Sequence, residues 1–185
     1  VIDLIRKWII NIKSAKGMRK TMKKFTLFTF FVILLLGGCS TSENSGNFQL
    51  YLTDQPIEGL EHVYVTISAI KVQKDDSSVI TLWEGTETYD LLALRDIEEQ
   101  VVDVDLEAGT YTHIIIVIDA VSIVVYTDTF DLGINPGLEV RIPVSFTILD
   151  NDSTEVVLDF EVDNSLEGYG DQYIFIPVIS VDSIR

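Results

Sequence analysis

Two histidines, one cysteine and 29 carboxylates are the side chains with which this 185-residue chain would most readily do chemistry. Nucleophilic hydrolysis needs a nucleophile, a base and an orienting acid within hydrogen-bond reach. His62 opens one apolar-alternating stretch and His113 sits inside another, and no Gly-x-Ser-x-Gly elbow presents a serine. A catalytic triad is therefore not expected, and there is no phosphate-binding loop, dinucleotide fingerprint or His-rich zinc spacing. A hydrolase built on two carboxylates stays open as an alternative, because so many acids form pairs by chance. Calcium is a more specific thought. Asp150-Asn151-Asp152-Ser153-Thr154-Glu155 offers hard oxygen ligands on a short loop, with Asp150, Asp152 and Glu155 as the candidate Ca2+ ligands. The EF-hand pattern fails there for want of its glycine, and Asx residues also close turns on their own backbone. For ligand stacking the candidates are Tyr169, between two glycines, and Trp83, before Glu84-Gly85. An aromatic on a loop tip offers a sugar ring an apolar face and a polar edge. The competing reading makes both lids over a core.

The elements that must position these residues have a period of two. Phe48, Leu50 and Leu52 alternate with Gln49, Tyr51 and Thr53, and Val63, Val65, Ile67 and Ala69 alternate with Tyr64, Thr66 and Ser68. The phase then slips to Ile70 and Val72, which predicts a bulge near Ala69. Further strands are expected over 78–83, 89–94, 100–106, 110–119, 122–127, 138–148, 155–163 and 172–182. Turn residues separate them, at Asp75-Asp76, Ala108-Gly109, Asn135-Pro136-Gly137 and Asp150-Asn151-Asp152 among others. No helical period is sustained, and Asp96–Gln100 has room for one turn at most. The pattern predicts an all-β fold, an antiparallel immunoglobulin-like β-sandwich. Strands 138–148 and 155–163 read as a hairpin with Phe146 facing Leu158, which sets Arg141 opposite Asp163 and Ser145 opposite Asp159. Pro143 lacks an N–H, so its strand should be an edge or bulged. Segments 112–118 and 173–179 are apolar on both faces. They should be central strands, or one face should be a docking patch.

Charge divides the chain. Eight of the 13 basic residues precede Cys39 and only Asp3 among the acids does, so the part after it carries five bases against 28 acids, a net −23. That surface repels phosphate backbones, and nucleic acid is not expected as a partner. Cys39 is the sole cysteine, so no disulfide can form inside the domain. From Met18 a basic start, the apolar run Phe25–Leu36 and Gly37-Gly38-Cys39 describe a secretory signal. Its apolar run is shorter than the roughly 20 residues a bilayer span needs. Leu36-Gly37-Gly38-Cys39 resembles the lipobox of prokaryotic lipoproteins, which implies cleavage before Cys39 and a diacylglyceryl group on its thiol. The expected organisation is a signal region over 1–38, a lipidated cysteine and flexible tether over 39–46, and a sandwich over 47–185. Residues 1–17 fit no part of a signal and read as sequence upstream of the true start, Met18 or Met22.

Five stretches occur in order along the sandwich: Leu52-Thr53-Asp54-Gln55-Pro56, Val63–Ile67, Asp90–Leu94, Ala108-Gly109-Thr110-Tyr111-Thr112 and Val157–Val162. Together they resemble the prokaryotic lipoprotein family catalogued as domain of unknown function 4382, over roughly 48–181. The resemblance implies an Ig-like sandwich and an envelope address, with no established activity. It departs at Ile115, where the family carries a basic residue. Asp54 and Asp159 are its family-like acids. Asp54 is expected to tie the turn after the first strand, and Asp159 to bond Ser145 or Arg141 across the hairpin. Tyr111 resembles a tyrosine that pins a strand corner.

The expectation is a lipid-anchored, non-catalytic module that binds or scaffolds at the cell envelope, on the cell surface or in the periplasmic leaflet. Its partner would be a polysaccharide, another envelope protein or divalent cations. The carboxylate hydrolase is one alternative, and a purely structural acidic domain stabilised by cations is the other.

Overall fold

The computed structural model describes residues 44–54, 60–169 and 172–185, with only the backbone of Gly168, Tyr169 and Gln172, and they form one compact unit within Glu43–Arg185. Strands dominate: β1 (Ser45–Thr53), β2 (His62–Lys74), β3 (Val79–Asp90), β4 (Glu99–Glu107), β5 (Gly109–Val125), β6 (Asp128–Leu132), β7 (Leu138–Ile148), β8 (Ser153–Phe160), β9 (Leu166–Tyr169), β10 (Gln172–Phe175) and β11 (Ile179–Ile184). One sheet has the order β11-β8-β1-β4. The other runs β3-β2-β5-β6, with β7 also on β5, and β9-β10 is a separate ribbon. This is an all-β, sandwich-like architecture whose alternating apolar residues meet in one core. Phe48, Leu50 and Leu52 of β1 and Val156, Leu158 and Phe160 of β8 meet Ile114, Ile116 and Ile118 of β5 and Ile142, Val144 and Phe146 of β7. Ring stacking crosses that core, with Phe48 5.1 Å and Tyr111 5.2 Å from Phe146.

The expected hairpin of 138–148 with 155–163 does not form. β7 pairs with β5, placing Tyr111 opposite Phe146 and Ile115 opposite Arg141. β8 lies in the other sheet, parallel to β1 and antiparallel to β11. The physical reason is plain. Two alternating strands bury their apolar faces equally well side by side in one sheet or facing each other across a core. The β1–β8 pair also makes the fold not purely antiparallel.

Three segments depart from their expected form. Residues 89–94 do not continue as a strand: β3 ends at Asp90 and a 3-10 turn spans Leu91–Leu94. Leu91, Leu92 and Leu94 are all buried there, which the strict alternation of a strand would forbid. Segments 110–119 and 122–127 are one strand, β5. Its ladder with β2 shifts between Thr66–Ala120 and Ile67–Ile118, so Asp119 is the extra residue that lets Ile118 and Val121 both face inward. Segment 173–179 is not a central strand. Residues 173–175 lie in the β9-β10 ribbon, where Phe175 is buried against Phe160 and Ile174 is exposed. Residues 176–178 form no strand, with Ile176 exposed, and Ile179 opens β11, so the strand expected over 172–182 is broken in two.

Other local features follow the sequence. β2 shifts register between Ile67 and Ala69 against both neighbours. Pro143 sits in β7, which among the described strands pairs only with β5, next to a register shift opposite Tyr111/His113. Gly46 is required by packing, since a Cβ there would lie 2.3 Å from the Leu149 carbonyl.

Candidate functional site

The outward face of the β3-β2-β5-β7 sheet carries the site. The shift in β2 at Ser68 is matched in β3, where Glu84 pairs with Ala69 but Glu87 already pairs with Ile67. The two strands therefore bend together, and small residues occupy the bend. A cavity of about 420 Å³ opens there. Ala69 and Val117 lie along it, and both are nearly fully buried. Ser68, Thr81, Lys71, Glu84 and Gly85 complete its lining.

Two of its lining side chains, Ser68 and Lys71, are held by bonds to neighbours on the same face. Ser68 Oγ donates to Asp119 Oδ1 at 2.9 Å, and the same oxygen accepts the Gly137 N–H at 2.9 Å. Lys71 Nζ donates to Glu139 Oε1 at 2.9 Å. Arg141 Nη1 donates to Gln73 Oε1 at 2.9 Å, and its other terminal nitrogen lies 3.8 Å from Glu139. The Lys71 hydrogen bond holds the Glu139 carboxyl below the usual carboxylate range. Ile115 is aligned between Lys71 and Arg141 and is fully buried on this face. Long basic side chains can bury such a residue under their methylene stems.

The other candidates lie elsewhere. In the 150–152 turn Asn151 takes φ 56°, and Asp152 Oδ1 accepts the N–H of Ser153 at 2.9 Å. Glu155 is engaged by Arg185 Nε at 2.8 Å. Asp150, Asp152 and Glu155 are not brought together: among the described residues no three His, Cys, Asp or Glu form a group suited to a metal ion. Asp76 accepts the Ser78 N–H and closes the β2–β3 turn.

Trp83 is not on a loop tip, because β3 continues through Glu84-Gly85 to Asp90. It stands opposite Ile70, packs against the core and rests on Gly85, where a Cβ would lie 2.7 Å from its ring. The Tyr169 side chain lies outside the described residues, as does Cys39.

Asp54 is buried. Its N–H donates to the Leu94 carbonyl, its Oδ1 accepts the Val162 N–H at 3.4 Å, and it forms a backbone bridge with Arg95. Asp159 is also buried, paired with Thr53 of β1 and Ser180 of β11. It therefore does not meet Ser145 or Arg141, since those belong to the opposite sheet. The Tyr111 hydroxyl donates to the Glu107 carbonyl at 2.9 Å, and burial pushes its phenol pKa up.

Neither histidine reaches the cavity. His62 Nδ1 is 2.6 Å from Asp90 Oδ2 and its ring stacks on Tyr64, while His113 Nδ1 is 3.1 Å from Thr112 Oγ1. Sequence reasoning did not single out Ser68, Ala69, Thr81 or Glu84. The signal it did contain was the phase slip at Ala69, which marks the bend but not the hollow beside it.

Comparison with known proteins adds one finding. Residues 45–177 match the family described as Domain of unknown function (DUF4382). No curated protein and no solved structure matches the chain.

Proposed function

The chain belongs to the DUF4382 family, and from that premise, which carries no activity, we propose that it is an exported, lipid-anchored envelope protein that binds a partner without catalysis. The observation that carries the binding is the cavity on the sheet face. Its 420 Å³ lies at the small end of the range for ligand pockets, and its lining is mostly polar, with Ser68, Lys71, Thr81 and Glu84 around the apolar Ala69 and Val117. Glycoside hydrolysis uses two carboxyl groups flanking the scissile bond. Glu84 is the single acid lining this cavity. The address rests on the basic start, the short apolar run and Leu36-Gly37-Gly38-Cys39, with β1 beginning six residues after the cysteine. The immunoglobulin-like form of the sandwich is supported by the Tyr111–Glu107 bond, which ties a strand start to backbone four residues upstream.

A photo-activated cross-linking residue placed at Thr81, and separately at Asp103 on the other sheet, tests the binding surface in producing cells. Adducts of an envelope protein or polysaccharide are expected from Thr81 and not from Asp103. Adducts from Asp103 alone, or from neither position, contradict the reading.

A further inference from the structure

We propose that the tip of the β5–β6 hairpin, at Tyr126, is a second binding site that takes a sugar ring of an uncharged polysaccharide. It lies apart from the cavity and does not rest on it. Val125 and Asp128 pair across the turn, so Tyr126 and Thr127 alone form the loop. Two-residue loops of this kind call for Gly, Asn or Asp where φ is positive. Among the described residues, Ser77, Asp96, Asn151 and Tyr126 are the ones other than glycine with positive φ, and Tyr126 takes 56°. The first three are small polar residues suited to turns. A bulky side chain is out of place in that region. Tyr126 is also 82% exposed, more than any other large apolar side chain described. No ring contact joins it to the described fold. Its conformation and its exposure both cost the domain, and the interior offsets neither. Strain held at one position in this way points to a contact outside the domain.

The surroundings of the tip narrow the class. Thr127, Asp128, Thr129 and Asp131 are exposed beside it, and Phe130 packs on Tyr173, so the apolar surface is one ring wide. A protein interface buries about 800 Å² on each side around an apolar core, which one ring on a convex tip does not supply. A pyranose matches it in size. Its C–H face stacks on the aromatic face while its hydroxyls bond the flanking carboxylates and threonines. Residues 119–132 contain no lysine or arginine, the side chains that anionic sugars call for. A cation would want a cage of several rings. The chain leading from Cys39 joins at the other end of β5, where the Ala108 N–H donates to the Asn44 carbonyl at 2.7 Å. On the envelope address proposed above, the tip is the end presented away from the membrane. Many weak contacts on one polymer would there add through avidity.

The test uses the purified full chain in a nonionic detergent without sugar headgroups, so it is independent of the address. The probes are cellotetraose and N-acetylated chitotetraose, with tetragalacturonate as the anionic control. Saturation transfer from the protein to the sugar C–H protons is the readout. Saturable transfer to at least one neutral probe is expected, with none to tetragalacturonate. Tyr126→Phe should keep it, whereas Tyr126→Asn should weaken it about fivefold, the size of one lost ring stack. Tyr126→Asn should also raise the thermal midpoint, since Asn suits the turn. No transfer to either neutral probe overturns the proposal, as does undiminished transfer in Tyr126→Asn or equal transfer to tetragalacturonate. A lowered midpoint in Tyr126→Asn overturns it too, because the tyrosine would then serve the fold. A discrete protein adduct from a photo-activated residue at Thr127 in producing cells would make the tip a protein contact and overturn the sugar.

Discussion

Tyr111 places its whole ring in the core and sends only its hydroxyl to the Glu107 carbonyl. Tyr111→Phe keeps the stacking on Phe146 and removes one hydrogen bond, so unfolding by urea should show a loss of about 1 kcal/mol. The raised phenol pKa adds a pH signature. A group whose folded pKa lies above its unfolded value, about 10 for tyrosine, contributes fully below that pH. The contribution fades as pH rises through the folded value. Tyr111→Phe should therefore flatten the alkaline limb of the stability profile relative to the parent. Asp54 is a different case, since its carboxylate is buried and accepts the Val162 N–H. Asp54→Ala should cost about 2 kcal/mol in the same measurement, by leaving buried donors without their acceptor. Both residues stood out in the sequence. The surroundings of Asp159 did not, because what an outward residue touches depends on which strands flank it.

At the level of elements, alternation revealed most strands and their inward faces but not who pairs with whom. Leu138 through Ile148 shows the inward set correctly, and so does Val156 through Phe160, yet the two belong to opposite sheets. Apolar patterning is blind to that choice, since both arrangements bury the same side chains. Cross-linking reads it directly. A Gln49→Cys/Glu155→Cys pair, in register across the parallel β1–β8 ladder, should oxidise to a disulfide seen as a mobility shift. A Ser145→Cys/Asp159→Cys pair should not, and its ready oxidation would restore the hairpin. The cavity was hidden for a related reason. It arises where two register shifts coincide on neighbouring strands, and each strand's own sequence shows only one of them.

Across the whole molecule, the five basic residues after Cys39 are all placed beside acids or on polar partners. Lys71 meets Glu139, Lys74 meets Glu107, Arg141 meets Gln73, Arg95 bridges to Asp54 through the backbone, and Arg185 meets Glu98 and Glu155. Arg185 also lies over the Tyr51 ring, so one side chain reaches from the end of β11 across β8 and β1 to the approach to β4. Its hydrogen bond holds the Glu98 carboxyl below the usual range. A lowered folded pKa means that this stabilisation is present above the unfolded value, about 4.3, and is lost as pH falls through the folded one. Arg185→Ala should then lower the thermal midpoint at pH 7 more than at pH 3, by an amount kept small by solvent screening. The comparison between the two proteins cancels the general relief of repulsion as the other acids protonate.

We propose above all that the domain works from a membrane, held by lipid on Cys39. The most direct measurement is the intact mass of the protein extracted from membranes of producing cells. A chain beginning at Cys39 with a diacylglyceryl group on its thiol is expected, shifting to the soluble fraction in Cys39→Ala. A chain beginning at another residue, or a membrane-extracted Cys39 without lipid, would contradict it.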